Sequence, residues 1–124
     1  MKILVVDDEK DMQILFLQQF RKEIKGGEIE FIFASSGEEA LQYLNSGSNP
    51  QTVLILSDIN MPGMSGFELL KRIKAKYKQP PPSVMMITAY HDEENQILAT
   101  ELGANGFLTK PLNFPELKNT LKSI

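Results

Sequence analysis

Three aspartates stand where apolar runs end. The stretch Ile3 to Val6 delivers Asp7 and Asp8, and Val53 to Leu56 leads within two residues to Asp58. Runs of this kind belong inside a sheet, and in open parallel sheets the functional crevice lies at the carboxyl ends of the strands. If the first and third strands are neighbours, Asp8 and Asp58 converge there. Two carboxylates about 4 Å apart repel by roughly 4 kcal/mol at an effective dielectric of 20. A group of three therefore needs either a bound proton or a cation. Oxygen donors without His or Cys select a hard cation, and a small open cluster that keeps its waters suits Mg²⁺ better than Ca²⁺. The alternative is that each aspartate caps the helix behind it. For one aspartate that reading is as good as the metal; for three at one edge the metal is favoured.

Two further strand ends point the same way. Thr88 closes a fourth apolar run, and Lys110 closes a fifth just before Pro111. Singly, the first is an ordinary β-branched strand residue and the second a surface charge. Together they set a hydroxyl and a mobile cation opposite an acidic pocket. That set suits a phosphoryl group: cation and Lys neutralise its oxygens, Thr donates a hydrogen bond, and a carboxylate can be the nucleophile.

The elements that must hold these groups alternate along the chain. Ile3–Val6, Ile29–Ala34, Val53–Leu56, Val84–Thr88 and Gly106–Thr109 are short and rich in β-branched or aromatic residues, as strands are. Between them run helical periods. Met12, Phe16, Phe20 and Ile24 mark one buried stripe, taken as a single first helix. Ser36 with Glu39 and Ser65 with Glu68 fit the capping box; Asn113 with Glu116 repeats it around Pro115, and Asp92 is a further cap. Gly26-Gly27 and Gly47 close the first two helices, and the prolines from Pro80 to Pro82 end the third. Five βα units with long connections predict a parallel sheet covered by helices on both faces.

Composition removes other classes. The chain of 124 residues has one domain's length, a net charge of −3 that offers nucleic acid no basic footprint, and no cysteine. Disulfides and thiolate metal sites are thereby excluded, and the sole histidine, His91, to which no role is assigned, leaves no imidazole cluster. No apolar run approaches the ~18 residues of a membrane span, and no signal peptide opens the chain, so a cytoplasmic protein without membrane contact is expected.

The residues "ILVVDDE", "LSDINMPGMSG", "MMITAY" and "GANGFLTKP" occur in the order and at the strand ends where receiver domains of two-component response regulators carry them. The chain resembles that family over its whole length, residues 1–124. The resemblance implies a flavodoxin-like (βα)5 three-layer sandwich with a parallel five-stranded sheet of order 2-1-3-4-5, as in the chemotaxis response regulator. It implies that Asp58 receives a phosphoryl group from a phosphohistidine on a sensor histidine kinase or histidine phosphotransfer protein. Asp7, Asp8 and Asp58 would hold Mg²⁺ with the backbone carbonyl of Asn60. Lys110, ahead of a cis Pro111, would contact the phosphoryl group; Thr88 would swing toward it and Phe107 would turn inward behind. A downstream protein target would dock on residues 92–124. Apart from the resemblance, Met61, Pro62 and Met64 are either plain loop hydrophobes or, the preferred reading because Met adapts to irregular partners, part of a docking surface.

On this view the protein is a switch and not an enzyme, handling only its own phosphoryl group. The alternative is a Mg²⁺-dependent phosphatase or phosphotransferase that also forms an aspartyl-phosphate. Enzymes of that kind in the haloacid dehalogenase mould carry a second Asp two residues after the nucleophile, where this chain has Asn60. Because the chain stops at Ile124, about where its last helix should end, a stand-alone regulator is expected over a piece of a longer one.

Overall fold

The strands form where β-branched and aromatic residues run together. The computed structural model describes residues 1–46, 52–89 and 92–123, and places strands at β1 (Lys2–Val6), β2 (Glu30–Ala34), β3 (Thr52–Asp58), β4 (Ser83–Ala89) and β5 (Gly106–Lys110). All pair in parallel, in the order β2-β1-β3-β4-β5. β1 and β3 are therefore neighbours. The inner strands are buried on both faces, with Ile3, Leu4, Leu54, Ile55, Leu56 and Ile87 fully enclosed, as expected of a parallel sheet covered on two sides.

The helices are α1 (Lys10–Gln19), α2 (Arg21–Lys25), α3 (Gly37–Asn45), α4 (Gly66–Lys76), α5 (Glu93–Glu101) and α6 (Phe114–Lys122). Two cores result. Against one face of the sheet, α1, α6 and the junction of α1 with α2 bring Phe16, Phe20, Phe114, Leu117 and Leu121 onto Ile3, Val5, Leu54 and Leu56, with Ile24 of α2 packed alongside. Against the other, α3, α4 and α5 bring Ala40, Leu44, Leu69, Leu70, Ile73 and Ala99 onto Leu4, Val6, Ile55 and Met86. This is the three-layer, flavodoxin-like arrangement expected.

The single first helix is corrected to two. The chain breaks at Phe20, whose φ of −108° and ψ of 21° lie outside the helical region. The break leaves the Phe20 ring fully buried and stacked on Phe16 at 6.0 Å between centroids. The ring is buried without giving up the residue's own ladder bonds: Phe20 N–H still donates to the Phe16 carbonyl at 3.0 Å, and its carbonyl accepts from Ile24 N–H at 2.9 Å.

Helix entry follows the sequence, with one difference. The Ser36, Ser65 and Asn113 side chains accept from the N–H groups of Glu39, Glu68 and Glu116 at 3.0, 3.2 and 3.0 Å. Asp92 takes the N–H of Asn95 at 3.4 Å. The reciprocal half of the capping box is displaced, however: the Glu39 carboxylate accepts from Ser35 N–H, and Glu68 pairs with Arg72 instead. Gly26 caps α2, and Gly27 turns with φ of 76°. Gly47 and His91 lie outside the described residues.

Register decides where the strand ends fall. Val6 stands opposite Ser57, Asp58 opposite Ile87, Thr88 opposite Thr109, and Ala89 opposite Lys110. One edge of the sheet thus carries every strand-end residue singled out above.

Candidate functional site

β1 ends at Val6 because the chain then turns across the top of the sheet. Asp7 donates its N–H to the Ala34 carbonyl at 3.0 Å, and its Oδ1 accepts from Glu9 N–H at 2.8 Å. This short loop fixes Asp7, which is only 2% exposed. Its other oxygen, Oδ2, is buried with no hydrogen-bond partner among the described residues. Asp8 beside it is exposed. Asp58 arrives as the last residue of β3 and is also buried. Carboxylate oxygens of Asp7, Asp8 and Asp58 all lie within 4.8 Å of one another.

The capping alternative is met only in part. Asp7 does hold the turn into α1, but Ser65 caps α4, and the α1 N-cap is Glu9, whose side chain makes no capping bond. An orphaned buried oxygen among three acidic groups is the environment a divalent cation fits. The donors are all oxygen, which suits Mg²⁺.

Lys110 reaches across from β5. Its Nζ donates to Asp58 Oδ2 at 3.0 Å. Burial works to lower the Lys110 pKa, but the hydrogen bond and charge of Asp58, with Asp7 and Glu9 behind, outweigh it and raise the pKa. The ammonium is therefore firmly charged. Thr88 is buried, and among the described residues its hydroxyl has only a long bond to the Ala89 carbonyl, at 3.4 Å. Such a weak bond leaves the hydroxyl ready to take a better acceptor. A cavity of about 230 Å³ opens between these groups, lined by Asp58, Asn60, Thr88 and Lys110 with Glu9, Asp92 and Asn95 at its border.

Phe107 is not in this cavity. It is 41% exposed and lines a separate depression with Glu93, Gln96, Ile97 and Thr100 of α5. Glu9, Asp92 and Asn95 were not foreseen as bordering the site. Only Glu9 carried a signal, as a third acidic residue directly behind Asp7 and Asp8. The Lys110–Pro111 peptide is cis, as the resemblance implied.

Burial, and then the charge of Asp58, push the Asp7 carboxyl above its usual range, against the pull of the Glu9 N–H and Lys110. The folded state therefore binds this proton more tightly than the unfolded chain, so stability falls as pH rises through the window above the ordinary carboxylate pKa. The cost is complete once pH exceeds the raised value. Asp7→Asn, measured by urea unfolding in chelator, is expected to be more stable than the parent at neutral pH. The advantage should fade as the solution is acidified toward the ordinary carboxylate range. A parent more stable than the variant at neutral pH would contradict this account.

A sequence model of the response regulator receiver domain matches residues 3–122. The chain belongs to that family. The receiver domain is 36% identical to the alkaline phosphatase synthesis transcriptional regulatory protein PhoP of Bacillus subtilis, over 99% of this chain and 48% of that protein. It is 34% identical to the transcriptional regulatory protein CpxR of Escherichia coli K12, again over 99% of the chain and 48% of the relative. The chain thus spans about half the length of these curated relatives. Among solved structures, the Vibrio cholerae chemotaxis protein CheY4 superposes with a TM-score of 0.82 at 30% identity, covering 99% of this chain and 97% of that one. A response regulator receiver domain protein of Clostridium thermocellum gives 0.83 at 28%, covering 98% and 91%. A receiver domain is the switch of a two-component system, activated by phosphorylation of an aspartate. Among the described residues, no helix of the receiver domain is long and apolar enough to cross a membrane.

Proposed function

We propose that Asp58 accepts the phosphoryl group, donated by a phosphohistidine of a sensor kinase or phosphotransfer protein. The observation that carries this reading is the convergence of three carboxylates at one sheet edge, with Lys110 bonded to Asp58 across it. An Asp58 oxygen attacks phosphorus, the phosphorus–nitrogen bond breaks, and the imidazole leaves with the electron pair. Asp7, Asp8 and Asp58 would hold Mg²⁺ through their side chains, and Asn60 through its carbonyl. The ion would neutralise charge on the transferring oxygens. Lys110 exchanges its carboxylate partner for a phosphoryl oxygen, and the Thr88 hydroxyl leaves its long bond for another. The place Thr88 vacates admits Phe107, now outside.

The donor would approach where α1 begins at the site, since that helix exposes Ile14, Leu15 and Leu17. A downstream target would meet the 92–124 face, where Ile97, Leu98 and Phe107 are exposed; Ile124 lies outside the described residues. Docking through Met61, Pro62 and Met64 belongs to the same proposal, although Met61 is already buried in the core. The protein would act in the cytoplasm and catalyse only gain and loss of its own phosphoryl group. Turnover of a chromogenic phosphate ester would instead favour a free-standing phosphatase.

Metal binding tests the site directly. Mg²⁺ at a hundredfold excess over its Kd is expected to stabilise the fold by about 2.7 kcal/mol. Asp8→Ala, at an exposed position, should abolish that gain and leave the metal-free protein at least as stable as the parent, since one of three neighbouring negative charges is gone. A parent protein whose melting is indifferent to Mg²⁺ would overturn the proposed site.

A further inference from the structure

We propose that Gly37 is a positioning residue for the loop that follows Asp58, acting through Met64; its bearing on the metal rests on the Asn60 reading above. The loop Asn60–Ser65 is pinched at its base, where Gly66 N–H donates to the Ile59 carbonyl at 2.8 Å. Its tip lies on the first turn of α3. A Cβ at Gly37 would stand 2.9 Å from Met64 Sδ and 3.1 Å from both Met64 Cβ and Cγ. On the loop side, a Cβ at Gly63 would stand 3.0 Å from Glu38 Oε2, and Gly63 has φ of +75°. Two glycines therefore face the contact, one from each element, and leave no side chain of their own between helix and loop.

Gly37 is buried although it opens a helix. Glycine is the poorer helix former there, so propensity alone would favour alanine. Space decides against it. Met64 is half-buried and packs on the core that includes Ala34, Ala40 and Met61; its thioether can turn aside, but its Cβ, 3.1 Å from the added methyl, is fixed to the backbone and moves only with the loop. The missing methyl at residue 37 thus sets the height of the loop over α3, and with it the direction of the Asn60 carbonyl.

The test uses amide shifts of the full chain without metal, Mg²⁺ titration by calorimetry, and thermal melting. Gly37→Ala should move the Asn60–Met64 amides and weaken Mg²⁺ binding about tenfold, the lower end of the loss usual when a metal ligand's support is disturbed. Loop amides and affinity like those of the parent would overturn the inference, even with a lowered Tm. Met64→Ala is the second variant, and should also move the loop amides and weaken binding; it decides the matter if Gly37→Ala does not fold. In the double variant the methyl has nothing left to push, so its binding should be no weaker than that of the weaker single variant. Additive losses would overturn the route through Met64. A parent that binds no Mg²⁺ defeats the metal reading instead, while the metal-free amide shifts still decide the role of Gly37.

Discussion

Asp58→Asn is expected to reduce labelling by acetyl phosphate, in the presence of Mg²⁺, to background. Intact-mass measurement would show one added phosphoryl group on the parent and none on the variant. The amide nitrogen that replaces a carboxylate oxygen has no lone pair free to attack phosphorus, so the loss concerns chemistry more than shape. The fold should survive. Asn is nearly isosteric at a position that is itself mostly buried, and its amide oxygen can still accept from Lys110 Nζ, now 3.0 Å from Asp58 Oδ2. Removing one of three neighbouring negative charges also relieves repulsion. Labelling that persists undiminished in a folded variant would move the acceptor to another residue, with exposed Asp8 the first to test.

Gly66→Ala should cost roughly 2–4 kcal/mol of stability, within the range of overpacking at a site that cannot relax. The backbone angle is not the reason, because Gly66 sits in the first turn of α4, where alanine is ordinarily preferred. The reason is room. A Cβ would run into the Asp58 carbonyl oxygen and lie 2.7 Å from Ile59 Cα and 2.9 Å from Met86 Cε. Two of these are backbone atoms, unable to swing away. Gly27→Ala offers the contrast: nothing among the described residues lies within 4 Å of its added methyl, and φ of +76° opposes it. A cost of about 1–2 kcal/mol is expected there. Urea midpoints, with an unchanged slope for both variants, would order them. If Gly66→Ala proves the milder, the close approach of α4 to β3 is not the constraint described here.

Much of this architecture could be read before any coordinates. All five strands lie where β-branched and apolar residues cluster, and the site residues stand at their ends because a parallel sheet puts every strand's carboxyl end on one edge. The exact ends were harder to place. β3 runs two residues past Leu56 to include Asp58, because Ser57 and Asp58 still find ladder partners in β1 and β4. The break at Phe20 was invisible, since an i, i+4 stripe looks the same whether or not the helix pauses beneath it. Close contacts between distant segments leave the faintest trace. Gly37 and Gly66 are each marked only by a glycine just behind a capping serine, and the partners they meet, Met64 in one case and Asp58 with Ile59 in the other, are a matter of tertiary packing. Asp92 and Asn95 come to border the cavity because α5 starts close to the end of β4, where Asp92 N–H donates to the Ala89 carbonyl at 3.2 Å, a placement that residue types alone do not reveal.

The two sides of the sheet are made of different materials. Five phenylalanines, Phe16, Phe20, Phe31, Phe33 and Phe114, interlock on the α1, α2 and α6 side, with centroids 5.1 to 6.1 Å apart and mostly edge to face. Rings held in such preferred geometry resist displacement. The opposite side has Met61, Met64 and Met86 beside the Asp58 loop, and thioether chains re-form their contacts at little cost. Mechanically, the first layer is an anvil and the second a cushion. Work done at Asp58 should be absorbed as movement of α3, α4 and α5, while α1, α2 and α6 hold the frame against which they move.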